Sequence, residues 1–309
     1  MENIGSRFGQ LLFPGAVIRI WMVIAAGAVL LLALIVALIL LLRKKKRGNP
    51  VTEEPITEQP MPKPLSELEI ANLQGIGSRE EQQVAFGISR MDRYEEDGLL
   101  AVLCDGMGGM TEGGRIAAET VSRLVGIFPW ADHSDLPGWI SQHSAGVYRQ
   151  FLGHGGTTLV AVLLKGSRLS FWCVGDSDLF LLREGKLYAL NIRQEYQNDL
   201  ILRALDGAFP VEEAFYDPQA GALSEYIGKE AVTCDYNRIP FSLQPEDTLL
   251  LCSDGVSDTL TLKQIREAMA LSPQACCDRL EEEILSAGKP NQDNYTAIAL
   301  TYHGKGEIE

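Results

Sequence analysis

The sequence predicts an α+β domain, packed sheets with helices outside, preceded by one transmembrane helix. Three observations carry that reading. Between about 67 and 304, eight runs read as strands, and several are almost wholly apolar, so both of their faces must be covered. Four helical patterns are interspersed, but strand runs follow one another instead of alternating strictly with helices, which favours α+β over a doubly wound sheet. Finally, the stretch from Trp21 to Leu42 contains no charge and no proline.

Taken in order, residues 1–20 form a short N-terminal segment, read as extracytoplasmic. Residues 21–42 would span roughly 33 Å as a helix, about the thickness of a bilayer's hydrocarbon core. A cleaved leader would carry its basic residues before the apolar core, whereas here the run Arg43-Lys44-Lys45-Lys46-Arg47 follows it. The positive-inside rule then places everything after it in the cytoplasm, which makes the chain a single-pass protein of the cell membrane. Residues 43–66 combine this basic stop with five prolines and several acids, the composition of a linker that cannot bury enough surface to fold alone.

Residues 67–304 are long enough for a sizeable core. Strand-like runs occur at 84–89, 99–105, 157–164, 169–175, 178–184, 186–190, 247–254 and 294–302, and helical patterns at 112–127, 137–151, 262–271 and 273–287. In the last helix, Pro273 at an early position and Gly288 just beyond the end are the expected punctuation. The segment 191–230 shows no clear period and reads as short helices or a mobile surface insert. Residues 305–309 form a tail. The six cysteines include no CxxC pair and read as reduced, buried thiols, with Cys276-Cys277 in a helix interior.

A net charge of −14 excludes nucleic acid as the main partner, because phosphate backbones require clustered Lys and Arg. The chemistry lies instead in acids at strand ends. Asp105 terminates LLAVLCD and Asp254 terminates LLLCSD, and glycine follows each, so the backbone can turn sharply. An acid ending a buried strand is costly unless its charge is used. Asp293 immediately precedes the last strand. Three such acids could converge on one rim, and hard oxygen ligands of this kind suit Mg²⁺ or Mn²⁺. The four histidines have no ligand-like spacing. Asp176 in VGDSD reads as shaping a hairpin, and Thr157-Thr158 as opening a core strand.

The ordered set GIGSREEQQVAFGIS, VLCDGMGGMTEGGRIAAE, GGTTLVAVLL, VGDSDLFLLREGKL, LLLCSDGVSDTL and NQDNYTAIAL resembles the successive motifs of the metal-dependent protein phosphatase 2C family, over roughly 75–302. The resemblance implies a four-layer β-sandwich of two antiparallel sheets flanked by helices, with the metal centre in a cleft at one end. It implies that Asp105 bridges two Mn²⁺ or Mg²⁺ ions, that the Gly106 carbonyl is a further ligand, and that Asp254 and Asp293 hold the other ion. Arg79 matches the arginine that grips the substrate phosphate, although an exposed Arg beside Glu80 and Glu81 could equally form a surface ion pair. The implied chemistry is attack on phosphorus by a metal-activated water, with phosphoserine and phosphothreonine in proteins as substrates. A Ser/Thr kinase of the same pathway would be a partner.

The pattern breaks where the family carries an Asn-Glu-Asp-like triplet. Gln82-Gln83-Val84 stands there instead. The Gln83 amide could still serve as a neutral ligand, but Val84 can neither bind nor order water. Asp105, Asp254 and Asp293 supply about −3 against the +4 of two divalent ions, so a weaker second site is expected. No carboxylate precedes Gly156, where many relatives have an acid linked to a third ion, and Asp178 stands where a basic residue often follows. Gly108 and Gly109 are read as permitting the turn into the next helix. Two functions remain open: an active membrane-tethered phosphatase, or an inactive phosphatase fold that binds phosphoproteins or scaffolds a complex.

Overall fold

The computed structural model describes residues 67–107, 112–130 and 135–304. The predicted membrane span at 21–42, the basic run, the linker, Gly108-Gly109 and the tail lie outside them. Among the described residues, no helix is long and apolar enough to cross a membrane.

Two antiparallel sheets face each other. The first has the strand order β1 (Leu68–Gly75), β11 (Tyr295–Tyr302), β10 (Asp247–Cys252), β6 (Asp178–Arg183), β7 (Lys186–Ala189). The second runs β2 (Val84–Ile88), β3 (Leu99–Asp105), β4 (Leu159–Lys165), β5 (Arg168–Val174), β8 (Asp235–Tyr236), with the two-residue β9 (Phe241–Ser242) also pairing β5. Strand alternation explains why these runs are apolar throughout. In β3, Leu99, Ala101 and Leu103 enter the core between the sheets, while Leu100, Val102 and Cys104 face helices α1 (Gly113–Gly126) and α2 (Leu136–Phe151). In β10, Leu249 and Leu251 point inward, while Leu250 and Cys252 pack on the side of α4 (Leu262–Met269) and α5 (Pro273–Ala287). Each strand thus serves two cores, and the four layers follow. Thr261 caps α4 in a reciprocal box with Gln264, and Gly288 closes α5 in the left-handed conformation at φ 59°.

Two features depart from expectation. Strand β1 was not legible, because its apolar residues change face between Ile70 and Ala71 and polar residues fill the positions between. Thr157 and Thr158 precede β4 instead of opening it. The insert 191–230 contains short helical elements, as expected: one regular helix, α3 (Tyr196–Leu205), and a 3₁₀ turn at Val211–Phe215. All six cysteines are free, five of them buried, and Cys276-Cys277 lies inside α5 as expected.

Register decides where the site falls. Val84 pairs with Asp105, Gly75 with Tyr295, Cys252 with Ala297 and with Asp178, and Leu159 with Val174. The ends of β1, β3, β5 and β10 and the starts of β2, β4, β6 and β11 therefore share one end of the sandwich.

Candidate metal and phosphate site

At that end the chain makes two Asp-Gly corners. A Cβ on Gly106 would lie 2.4–2.6 Å from the backbone of Gly113 and Gly114, and one on Gly255 would lie 2.0 Å from the Asn294 carbonyl oxygen. Only glycine allows both corners to close this tightly. Four bonds fasten Asp105 and its successor: the Asp105 N–H donates to Thr158 Oγ1 (2.9 Å), its carbonyl accepts from Thr157 Oγ1 (2.8 Å) and from the Thr158 N–H (2.8 Å), and the Gly106 N–H donates to the Gln83 carbonyl (3.1 Å). Thr158 Oγ1 is itself held by Ser177 Oγ at 2.8 Å. Thr157 and Thr158 thus anchor the predicted bridging acid, a role that the strand-like reading of this segment missed. Among the described residues, none donates a hydrogen bond to the Gly106 carbonyl.

The carboxyl groups of Asp105 and Asp254 meet. Burial, then Asp254, raises the Asp105 pKa well above the usual carboxylate range. Asp254 is also raised, by burial and then by Asp258 and Asp293. Asp176 joins this group: burial and then Asp254 push it up to about 7. The hairpin expected for Asp176 is not there. Residues 175–177 connect β5 in one sheet to β6 in the other, and this crossing brings the acid to the site.

Asp293 and Arg79 are brought together, but with each other. Arg79 Nε donates to Asp293 Oδ1 at 2.7 Å and Nη2 to Oδ2 at 2.5 Å, while Glu80 and Glu81 play no part. Both side chains are about half exposed, so the pair is weak and exchangeable. Among the described residues, no group of three or more acids, imidazoles or thiols is arranged to hold an ion, and Asp293 is turned toward Arg79.

Asn294, buried next to it, organises the loop that carries Arg79. Its side chain donates to the Ile76 carbonyl (2.7 Å) and accepts from the Gln83 N–H (2.9 Å). Val84 stands directly opposite Asp105 and is 3% exposed, packed into the core between the sheets. Position 84 thus neighbours Asp105. Asp254, Gly255, Asp258, Thr259, Gln292 and Asp293 line a cavity of about 170 Å³ beside these carboxyls.

Asp178, the acid at an expected basic position, is buried and paired with Arg193, whose Nε and Nη2 donate to it at 3.1 and 2.7 Å. Arg193 also reaches Ser257 Oγ (2.6 Å) and Asp258 (2.8 Å), tying the insert to the short helix Asp254–Ser257. Of the histidines, His143 is stacked on Trp139 and bonded to Thr120, and burial lowers it to about 4, so it is a neutral structural residue of α2.

These shifts have a sign. An acid whose folded-state pKa is raised contributes stability that is complete below its unfolded value, about 4, and is lost as pH rises through the folded value. For Asp176 that value is about 7, and Asp105 and Asp254 act in the same direction. The metal-free protein should therefore melt at a lower temperature at about pH 8 than at about pH 5, and Mn²⁺ should remove the difference. Calorimetry across that range checks it; a Tm that rises with pH in the absence of metal would show that the acids carry no mutual strain.

A family model described as protein phosphatase 2C matches residues 85–289. Over 147 residues the chain is 34% identical to the serine/threonine protein phosphatase PstP of Mycobacterium tuberculosis, covering 46% of this chain but only 27% of that protein's length. It is 26% identical over 218 residues to the serine/threonine phosphatase stp of Listeria welshimeri, covering 65% and 83% of the two chains. Among solved structures, the catalytic domain of PstP in complex with two manganese ions superposes with a TM-score of 0.58 at 25% identity, over 76% of this chain and 97% of that one.

Proposed function

The chain belongs to the protein phosphatase 2C family, and from that premise we propose that it is a membrane-tethered, metal-dependent phosphatase of phosphoserine and phosphothreonine in proteins. The observation that carries the proposal is the Asp105–Asp254 contact: two carboxyls buried against each other, each with its pKa raised, beside a polar cavity. When both are ionised such a pair is destabilising unless cationic charge neutralises it, and oxygen donors are what Mn²⁺ and Mg²⁺ take. Asp105, the Gly106 carbonyl, Asp254 and Asp293 would hold two ions, with the Gln83 amide as a neutral contributor at the weaker one. When bound, the ions would activate the attacking water and neutralise charge on the phosphoryl oxygens.

The chain's own groups do the remainder. Thr157 and Thr158 fix the Asp105 backbone, so the carboxylate is placed before any ion arrives. Arg79 carries a bidentate donor fork and is released when Asp293 turns inward, which frees it for the two oxygens of a phosphoryl group. Asn294 holds the Arg79 loop and Gln83 against the same strand end. Membrane tethering rests on residues 21–42 and the basic run that follows, and places the phosphatase domain at the cytoplasmic face, within reach of a membrane-associated Ser/Thr kinase.

The test is Mn²⁺-dependent hydrolysis of a phosphothreonine peptide by the full-length chain. Activity that a chelator removes and Mn²⁺ restores supports the enzyme. Absence of turnover at any metal concentration, with the peptide still bound, would replace it with a phosphoprotein-binding module. Val84→Asp separates the two further. The added carboxylate beside Asp105 should lower the Tm of the metal-free protein and tighten Mn²⁺ about tenfold or more, read by calorimetric titration independently of turnover.

A further inference from the structure

Strand β7 ends the first sheet, and among the described residues it pairs only with β6. The two strands join through Glu184 and Gly185, both with positive φ (50° and 72°), a two-residue turn that makes Arg183 and Lys186 the closing pair. Alternation then turns the N–H and C=O of Lys186 and Tyr188 toward β6 and those of Leu187 and Ala189 outward. The Leu190 N–H, which donates to the Leu179 carbonyl at 2.8 Å, keeps the same phase. The outward edge borders a groove of about 720 Å³ between β7 and the start of α4, at the end of β6 away from Asp178 and the metal site.

Lys186, Lys263 and Arg266 line this groove in a protein of net charge −14. Lys263 has only a long pair to Glu267, at 3.8 Å, and among the described residues Lys186 and Arg266 have no ion pair. Two large apolar side chains stand exposed beside the cations, Tyr188 at 45% and Leu262 at 63%. Cationic side chains can blunt a sheet edge against self-association, and here they would also repel a second copy that approached with the same three charges.

We propose that the β7 edge and its groove bind an acidic, extended segment of a partner protein as an added strand. The outward N–H and C=O groups of Leu187 and Ala189 would supply main-chain bonds, Lys263 and Arg266 on the α4 side would meet the acidic side chains on one face of the added strand, and Tyr188, on the opposite face of β7, would cover the apolar residues on the other, with Lys186 adding to the positive charge of the edge. The site requires no phosphate on the partner and is independent of the metal chemistry.

The probe is a fluorescein-labelled peptide of about ten residues alternating glutamate and valine, titrated into the full-length chain by fluorescence anisotropy. Saturable binding is expected, about tenfold or more weaker in Lys186→Glu/Lys263→Glu/Arg266→Glu and weaker again with added salt. Ala189→Pro removes an outward N–H without touching the β6 ladder and should weaken binding with the charges intact. A lysine–valine peptide should not bind, and melting curves verify that both variants remain folded. Binding unchanged in both folded variants, or no saturable binding by the unmodified chain, overturns the proposal. A dimer that Ala189→Pro dissolves would make a second copy the occupant. Binding that appears only after Glu53, Glu54 and Glu58 are changed to Gln would make the chain's own acidic stretch the occupant. Either of these results also overturns it.

Discussion

Asp105→Asn should abolish metal-dependent phosphatase activity, by about a thousandfold in kcat, while leaving the metal-free protein at least as stable as before. The two effects share one cause. Burial and the neighbouring Asp254 raise the Asp105 pKa well above the usual carboxylate range, so its charged form is disfavoured in the metal-free protein. An Asn amide is neutral and can donate to Asp254, so the resting fold should lose nothing. With ions present the balance reverses, because the predicted bridge has lost its negative charge. Mn²⁺ titration, turnover and Tm measured on the same variant check all three parts. Full activity in Asp105→Asn would remove Asp105 from the metal site. A sharp fall in the metal-free Tm would show that its carboxyl is needed for folding.

Gly255→Ala should be nearly as damaging by a different route. The added Cβ would sit 2.0 Å from the Asn294 carbonyl oxygen, so the Asp254 corner and the start of β11 must move apart. Neither side can yield cheaply. Gln292 Nε2 donates to the Gly255 carbonyl at 2.9 Å, and the Ser253 N–H donates to Thr296 at 3.0 Å. A destabilisation of about 3 kcal/mol is expected, at the upper end of overpacking costs. Activity should fall by about a hundredfold or more, because Asp254, Asp293 and the Arg79 loop all shift together. Denaturant unfolding and kinetics measure the two losses. A variant with normal stability and activity would mean that the corner is slack, contrary to the close approach seen here.

Much of the fold was legible, for a simple reason. A strand covered on both faces must be apolar throughout, and β3, β4, β10 and β11 announce themselves by that alone. Strand β1 did not, because its apolar residues change face between Ile70 and Ala71 and polar residues fill the positions between. Asp105 and Asp254 stood out because an acid ending such a run demands an explanation, and Asp293 because it immediately precedes β11. Asp176 was misread because its neighbourhood looks local: only the crossing from β5 to β6 carries it to a different sheet and to Asp254. Asn294 and the Thr157-Thr158 pair were missed as supports because their partners lie far away in sequence, at Ile76, Gln83 and Asp105.

The sequence by itself determined the chain's acidity, its uncharged segment at 21–42 with a basic flank, the apolar strands, and the glycine-backed acids that end two of them. These are properties of composition and short-range order, readable wherever burial or charge acts on consecutive residues. Tertiary structure alone decided which ends of the strands coincide, that the Asp105 and Asp254 carboxyls are buried together, that Arg79 holds Asp293 instead of a neighbouring glutamate, and that Val84 stands beside Asp105. Each of these depends on register between strands far apart in the chain, which no local pattern encodes, because a shift of one residue would turn every side chain to the opposite face.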